Sequence, residues 1–357
     1  MKYPKHVEML RLRARVVWAV LILVIIVTSA LVYAFVFYQP TKPVPIGAVL
    51  YLWYGYGSAG SGGRDSSGWN VTGGNSTGGF AVVDKPVIGY YVSDSNSTFS
   101  WQVQQMEQAG LSFAVVSWWG NASSARDGAV NKATLDLFKF LKETNSNFSI
   151  AIMVDAYNGT HDLSSSALKA DYNYVYSSFV KSFGNWYFDW HGKPLLLFFS
   201  PIVPSYNDSR FTVRTIGNFN CLPVDSCQEP DWIWWTAPIQ FYQGQNGTNV
   251  NYSNDLGNPV ISSDGEVGIV PRVDSKSYYL GDPQHRGGYL QFDSDLTLGL
   301  YQYEWNYVIQ HKSQVGLVLI YSWNEYYERS AIEPHYEPTG KLSPLANYTS
   351  SYVGQLH

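Results

Sequence analysis

The sequence predicts an α/β protein, a (β/α)8 TIM-type barrel that is preceded by a single N-terminal transmembrane helix. Three observations support this prediction. One uncharged apolar run lies near the N-terminus, and after residue 45 short apolar runs alternate with segments of helical spacing. Such alternation is typical of a parallel sheet covered by helices. Aromatic and acidic residues then recur where the apolar runs end, as at the catalytic face of a barrel.

The first 45 residues are expected to form three parts. Residues 1–15 are rich in Lys and Arg, residues 16–38 form the apolar run, and residues 39–45 form a Pro-rich stalk. About 23 residues with a rise of 1.5 Å each cover roughly 34 Å, which is enough to cross a bilayer. The basic flank predicts a single-pass cell-membrane protein with a cytoplasmic N-terminus and an extracytoplasmic domain. A cleaved signal peptide is the alternative.

Residues 46–357 are expected to form one extracytoplasmic barrel domain. The runs of strand character are 46–53, 87–91, 112–119, 149–155, 194–200, 232–236, 267–271 and 315–323. Ten Asn-x-Ser/Thr triplets are candidate glycosylation sites in such a domain. They begin at Asn70, Asn75, Asn96, Asn121, Asn147, Asn158, Asn207, Asn246, Asn251 and Asn347.

Composition narrows the classes of partner. The net charge of −5 argues against a nucleic-acid partner. Charged residues make up 14% and aromatic residues 16%, which suits either a protein that stacks sugars or a large aromatic core. Cys221 and Cys227 are six residues apart, without His or further Cys at metal-ligand spacing. They are a candidate disulfide, with two free thiols as the alternative, and neither a metal nor a cofactor is expected.

The ends of the strand-like runs predict a cup of aromatic side chains with acids at its floor. The carboxyl ends of barrel strands converge on one face, and aromatic rings there suit a glycan substrate. The candidate substrate-binding residues are Trp53, Tyr54, Tyr90, Tyr91, Asp94, Trp118, Trp119, Asp155, Trp323, Asn324, Tyr326 and Glu333.

Glu325 and Glu328 are the candidate catalytic residues. Side chains three apart on a strand point to opposite faces, so the chain must turn after about Asn324 for the two acids to cooperate. In a helical turn such positions lie about 5–6 Å apart. That spacing suits a retaining glycosidase, in which the carboxyl groups are about 5–5.5 Å apart. Neighbouring carboxylates also separate their pKa values, so one can act as an acid and the other as a base.

Several blocks of the sequence resemble glycoside hydrolase family 99, the endo-α-mannosidase and endo-α-mannanase family. They are Gly89-Tyr90-Tyr91, the run Gly-Leu-Ser-Phe-Ala-Val-Val-Ser-Trp-Trp-Gly at 110–120, Gly-Lys-Pro-Leu at 192–195, and Ser-Trp-Asn-Glu-Tyr-Tyr-Glu-Arg-Ser-Ala-Ile-Glu-Pro at 322–334. The resemblance implies a (β/α)8 barrel that needs no metal. It also implies that Glu325 is a base on the substrate 2-hydroxyl, which forms a 1,2-anhydro sugar, and that Glu328 is the general acid and base.

The chain departs from the family pattern at three places. Arg329 stands where the family usually has Gly, and its charge is expected to lower the pKa of Glu328. Val92 stands where the family often has Asp, with Asp94 two residues later. The family's substrate-binding histidines have only a loose counterpart in His285.

The expected function is therefore a membrane-anchored retaining endo-α-glycosidase that hydrolyses an extracytoplasmic glycan. Two alternatives stay open. One is a non-catalytic carbohydrate-binding or cell-surface structural protein on the same barrel, and the other is a transferase-like relative from polysaccharide biosynthesis.

Overall fold

The computed structural model describes residues 5–37, 43–55, 69, 82–121, 125–155, 165–199, 208–216, 259, 261–272 and 299–357. The chain divides into two compact units, Met1–Pro43 and Val44–His357.

The first unit contains one long helix, α1 (Lys5–Phe37). Its described side chains from Val16 to Val27 are largely exposed. Among the helices in the described part of the chain, none is both long and apolar enough to span a membrane. The predicted transmembrane helix at 16–38 is thus not supported. The helix also takes in residues that were assigned to a separate basic tail, because it begins at Lys5.

The second unit is built on a parallel sheet. In chain order the strands are β1 (Ile46–Leu50), β2 (Lys85–Pro86), β3 (Phe113–Trp118), β4 (Ser149–Val154), β5 (Asp189–Trp190), β6 (Lys193–Phe199), β7 (Thr212–Ile216), β8 (Glu266–Ile269), β9 (Leu317–Ile320) and β10 (His335–Tyr336). Parallel pairing runs β8-β9-β1-β3-β4-β6-β7. These strands curl into a half-barrel, which is consistent with a TIM-like fold.

Helices cover the outside of this half-barrel. They are α2 (Asn96–Gln108), α3 (Ala125–Glu143), α4 (Ser165–Val175), α5 (Lys181–Phe183), α6 (Gly299–Gln310) and α7 (Leu345–Leu356). A π-helical turn joins α4 to α5. The start of α2 is capped by Ser95, whose hydroxyl accepts a hydrogen bond from the amide of Thr98 at 3.2 Å, because the first amides of a helix have no partner within it.

Alternating side chains of the strands separate two apolar cores. In β1, Ile46, Ala48 and Leu50 pack toward the helices, whereas Val49 packs with Phe113 inside the half-barrel. This follows from the two-residue period of a strand. The ring of Phe188 packs against this interior core and stacks on the ring of Phe113, with 3.8 Å between the ring centroids. A Cβ atom at Gly47 would overlap the Phe113 ring, so this glycine permits the close approach of β3.

Two predicted strands and one strand that the sequence missed need comment. The predicted strand at 87–91 is wrong, because the chain there turns at Gly89, which has a φ of +87°. The neighbouring β2 instead pairs antiparallel with β10, outside the parallel sheet. The sequence missed β7, whose Thr and Arg side chains obscure its strand character. The predicted strand at 232–236 lies outside the described residues.

Four of the candidate glycosylation sites lie in the described part of the chain. Asn96, Asn121, Asn147 and Asn347 are exposed. The hydroxyl of Thr349, in the triplet of Asn347, is buried against the Tyr301 hydroxyl at 2.7 Å. The remaining candidates, and both cysteines, lie outside the described residues; they are Asn70, Asn75, Asn158, Asn207, Asn246, Asn251, Cys221 and Cys227.

Candidate active site

The candidate catalytic acids lie on a compact turn that follows β9. We call residues 321–333 the β9 segment. The amide of Glu325 donates to the Ser322 hydroxyl at 2.8 Å, and the amide of Ser330 donates back to the Glu325 carbonyl at 3.1 Å. The Ser322 amide donates to the Ser330 carbonyl at 3.2 Å. The chain therefore reverses between Glu325 and Ser330, as the spacing of the two glutamates requires.

Glu325 is a buried carboxyl group, with 3% of its surface exposed. Burial raises its pKa well above the ordinary value, and the nearby charges of Glu328 and Asp155 raise the pKa further. The amide of Tyr327 donates to its Oε1 at 2.9 Å, which opposes that shift. An acid in this environment holds its proton at a higher pH than a free glutamate.

Glu328 is partly exposed. The Tyr321 hydroxyl donates to its Oε2 at 2.8 Å, and the Tyr51 hydroxyl donates to that of Tyr321 at 3.1 Å. Burial raises the pKa of Glu328, as does the charge of Asp155, whereas the bond from Tyr321 lowers it. A chain of two phenols therefore ends on this carboxylate.

Asp155 supplies a third acid at the end of β4. It is buried, and the Ser117 hydroxyl donates to its Oδ2 at 2.8 Å. Ser117 accepts in turn from the indole N–H of Trp119 at 3.2 Å. Because Asp155 raises the pKa of both Glu325 and Glu328, it belongs to the same electrostatic site.

Aromatic rings surround these acids. The ring of Trp53 lies 4.3 Å from that of Tyr51, 5.0 Å from Trp119 and 6.1 Å from Tyr327, measured between centroids. We call Tyr51, Trp53, Trp119, Tyr321 and Tyr327 the aromatic cup. Trp53, Trp119 and Asp155 were predicted from the sequence and lie here. Tyr51, Tyr321 and Tyr327 were missed, although Tyr51 and Tyr321 directly follow β1 and β9 and Tyr327 follows the predicted Tyr326.

Two predicted tryptophans do not reach the cup. Trp118 is fully buried on the helix side of β3, where its N–H donates to Asn131 at 2.9 Å and its ring stacks on Tyr174. Trp323 is also fully buried, and its N–H donates to Gln102 of α2. Their assignment to substrate binding is corrected, because both side chains point away from the interior.

A second group of predicted residues holds the turn through buried hydrogen bonds. Glu333 is fully buried and accepts from Tyr91 at 2.9 Å, from Tyr326 at 3.0 Å and from Gln102 at 2.9 Å. Burial raises its pKa to about 7. Because Tyr326 and Glu333 have no exposed surface, they are corrected from substrate contacts to structural supports.

Asn324 holds the turn against the end of β1. Its Oδ1 accepts from the Tyr51 amide at 2.8 Å, and its Nδ2 donates to the Tyr51 carbonyl at 2.9 Å. Its backbone carbonyl accepts from the Tyr54 hydroxyl at 2.6 Å. Asn324 and Tyr54 are buried, so both act as supports. This clamp fixes the β9 segment relative to the aromatic cup.

The other predicted residues lie outside the aromatic cup. Tyr91 bridges Asn324 at 3.0 Å and Glu333, again within the support. Tyr90 is half exposed, and its ring lies 5.2 Å from that of Trp69. The carboxylate of Asp94 forms an ion pair with Lys132 at 3.0 Å.

The expectation for Arg329 is wrong. Its guanidinium turns away from the acids and pairs with Asp84 at 3.0 Å and with Glu337 at 2.8 Å. The pKa of Glu328 is accordingly raised by burial. Arg329 has a φ of +54°, in the left-handed region that glycine adopts most readily. Glycine would adopt this φ without strain.

Among the residues that the structure describes, two groups of side chains have the donor types of a metal site. The ligand atoms of Asp84, His335 and Glu337 lie within 4.8 Å of one another, but the guanidinium groups of Arg272 and Arg329 already donate to both carboxylates. These arginines supply the positive charge that a metal ion would bring.

The second group is His191, Asp264 and Glu266. Arg214 pairs with Asp264 at 2.6 Å and with Glu266 at 2.8 Å. As in the first group, a guanidinium neutralises the carboxylates.

The fold is similar to that of solved glycoside hydrolases. The chain is similar to the glycoside hydrolase family 99 endo-α-mannosidase from Bacteroides thetaiotaomicron, with a TM-score of 0.56 and 15% identity over 87% of this chain and 97% of that chain. A structure of the enzyme from that organism with bis-tris-propane gives a TM-score of 0.58 and 15% identity, over 88% of this chain and 97% of that chain.

A glycoside hydrolase-like protein is also similar, with a TM-score of 0.55 and 12% identity over 89% of this chain and 95% of that chain. No protein-family model and no curated protein matches the chain. At these identities the likeness shows the fold, which is that of family 99.

Proposed function

We propose that this protein is a retaining endo-α-glycosidase of the endo-α-mannosidase type, acting on a glycan. One observation carries the proposal: Glu325 and Glu328 share one turn at the carboxyl edge of the sheet, within the aromatic cup. Both acids have a raised pKa because of burial. The turn follows the carboxyl end of β9, and this edge of the sheet is where barrel enzymes hold their catalytic groups.

The proposed reaction uses the substrate's own 2-hydroxyl as the nucleophile. Glu325 takes the proton of that hydroxyl while the 2-oxygen of the sugar bonds to the anomeric carbon. At the same time Glu328 gives a proton to the departing glycosidic oxygen. The product is a 1,2-anhydro sugar. Water then attacks the anomeric carbon and loses a proton to Glu328, while Glu325 returns its proton to the 2-oxygen. Both carboxyl groups end as they began, and the configuration is retained.

The proposed roles require Glu325 to be ionised and Glu328 to be protonated when the substrate is bound. In the free protein Glu325 is the less exposed of the two acids, and Tyr321 donates to Glu328, so negative charge is favoured on Glu328. The roles require the reverse. We therefore propose that substrate binding moves the proton, since a 2-hydroxyl donates to Glu325 and a glycosidic oxygen accepts only from a protonated Glu328.

The roles are separated by comparing two substrates with Glu325→Gln and Glu328→Gln. With an α-mannosyl oligosaccharide, each variant should lose at least a thousandfold in kcat/KM. With an α-mannosyl-containing glycosyl fluoride, Glu328→Gln should recover part of its rate, because fluoride leaves without a proton, whereas the attack of water still lacks its base. Glu325→Gln should recover none.

The control is Glu143→Gln, at an exposed glutamate on α3, which should match the parent on both substrates. Rescue of Glu325→Gln in place of Glu328→Gln would reverse the two roles. Parent-like turnover of the oligosaccharide by both variants would overturn the proposed function.

The rings of the aromatic cup are proposed to contact the sugar. Trp119 joins the cup to Asp155 through Ser117, and one ring can cover an apolar pyranose face there. Trp119→Leu should raise KM tenfold or more. Trp118→Leu is its matched control, because that neighbouring ring faces the helices; it should alter stability with KM unchanged.

The location of residues 46–357 is a separate proposal. The exposed asparagines Asn96, Asn121 and Asn147 of three such triplets suit an extracytoplasmic, glycosylated surface. Peptide-N-glycosidase treatment of the chain from its native host should increase its mobility, and protease added to intact cells should digest the domain. Full protection of the domain from that protease would contradict this location.

A further inference from the structure

Five buried residues, one of them Arg329 of the β9 segment, form what we call the arginine cluster. It comprises Asp84, Arg272, Arg329, His335 and Glu337. Arg329 is the residue that follows Glu328, and the others come from the loop before β2, the end of β8 and the region of β10. The cluster therefore ties the turn of the acids to three separate parts of the chain.

Arg329 contributes a forked pair to this cluster. Its Nε donates to Oδ2 of Asp84 at 3.0 Å, and its Nη2 donates to Oδ1 at 3.0 Å. The same Nη2 donates to Oε2 of Glu337 at 2.8 Å. Two parallel bonds fix the plane of a guanidinium group as well as its position. Lysine offers charge at this place but not the fork.

Arg272 anchors the backbone of Arg329 from the other side. Its Nε donates to the carbonyl oxygen of Arg329 at 2.6 Å. Its Nη1 donates to Glu337 at 2.8 and 3.0 Å, and its Nη2 to Asp84 at 3.1 Å. The side chain and the carbonyl of Arg329 are therefore both held.

His335 is the fifth member of the cluster. Its Nδ1 lies 2.6 Å from the carbonyl oxygen of Glu333, which can only accept, so Nδ1 donates this hydrogen bond. Its Nε2 lies 3.1 Å from Nη2 of Arg272 and 3.2 Å from Oε1 of Glu337. The charges of the two arginines match those of Asp84 and Glu337, which a buried cluster requires.

The backbone geometry connects this cluster to the acids. Arg329 reverses the chain with a φ of +54°. This reversal lets Ser330 return to Ser322, where the two hydroxyls lie 2.9 Å apart. Glycine would adopt the same φ without strain, yet it would leave the turn without its side-chain anchor.

We propose that Arg329 is a positioning residue, whose buried fork to Asp84 holds the turn that carries Glu325 and Glu328. The kinetic part of this inference rests on the proposed function. Arg329→Gly relieves the backbone strain at this φ and removes the side-chain bonds to Asp84 and Glu337. The variant therefore separates the effect of the backbone from that of the side chain. The anchor dominates, because Asp84 and Glu337 would otherwise share a single guanidinium.

The test measures kinetics and amide hydrogen exchange in the full chain. Arg329→Gly should lower kcat at least tenfold with KM changed less than threefold, and amides within 322–333 should exchange at least tenfold faster. Arg329→Lys should give intermediate values for both quantities. Because Lys keeps the charge, this variant also serves if the glycine variant does not fold.

The matched control is Arg210→Gly. Arg210 forms a similar fork with Asp208 at 2.9 and 2.6 Å, before β7, so its loss should leave kcat and the exchange within 322–333 unchanged. Parent-like kcat and exchange in Arg329→Gly would overturn the inference. If the parent hydrolyses no glycan, the proposed function fails while the exchange measurement still decides the role of Arg329.

Discussion

Tyr321 donates its phenolic hydrogen to Oε2 of Glu328 across 2.8 Å, and its own oxygen accepts from Tyr51 at 3.1 Å. Tyr321 directly follows β9, and Glu328 lies on the far side of the turn. The bond therefore spans the β9 segment and fixes the more exposed of the two acids. It also selects the ionised form of Glu328, because a carboxylate accepts this hydrogen bond more strongly than a carboxylic acid.

Tyr321→Phe tests this relationship through the pH–rate profile. The bond lowers the pKa of Glu328, so its removal should raise that pKa. If Glu328 acts as the acid, the alkaline limb of kcat/KM should move upward by about one pH unit. Tyr51→Phe is the control, since Tyr51 contacts Tyr321 and should move the limb less. A downward shift in Tyr321→Phe would contradict the assigned role.

Asp155→Asn should move the profile in the opposite direction. The charge of Asp155 raises the pKa of both Glu325 and Glu328, so its loss should lower both. Both limbs of the profile should therefore move to lower pH, by up to about one unit. Ser117→Ala removes the hydrogen bond and keeps the charge, so it should produce a smaller shift. Unchanged limbs in Asp155→Asn would separate Asp155 from the acid pair.

Glu333→Gln tests the buried support beneath the turn. The folded protein raises the pKa of Glu333 to about 7 through burial, so the folded state keeps a proton that the unfolded chain releases from about pH 4.5. This contribution to stability is complete at low pH and is lost as the pH rises toward 7. Between pH 4.5 and 8 the parent should lose about 3 kcal/mol more free energy of unfolding than the variant.

Urea unfolding at pH 4.5 and at pH 8 measures this difference. Glu107→Gln changes an exposed glutamate of α2. This variant should show the same difference in free energy of unfolding between the two pH values as the parent. If Glu333→Gln and the parent lost the same free energy of unfolding between the two pH values, Glu333 would not keep its proton on folding.

The sequence predicted much of the sheet because its central strands are nearly continuous apolar runs. Residues 46–50 and 317–320 are buried along their whole length, which is what a parallel sheet covered on both faces demands. The strand at Thr212–Ile216 carries Arg214, whose role depends on Glu266 at 2.8 Å. That partner is 52 residues away, so local sequence gives no sign of it.

Only part of the candidate site was predicted from the sequence, because the position of a residue after a strand does not determine which way its side chain points. Ala114, Val116 and Trp118 alternate toward the helices, and Val115 points to the interior. Continued alternation assigns Ser117 and Trp119 to the interior, so this parity identifies Trp119 and rejects Trp118. The role of Arg329 follows from Asp84, which is 245 residues away, and local spacing does not reveal such a contact.

The most direct test of the central claim measures α-mannoside hydrolysis by the purified parent, Glu325→Gln and Glu328→Gln, with proton NMR following the anomer first released. The account predicts an α-configured product from the parent and a loss of at least a thousandfold in kcat/KM for each variant. Release of the inverted anomer, or turnover in both variants equal to that of the parent, would contradict it.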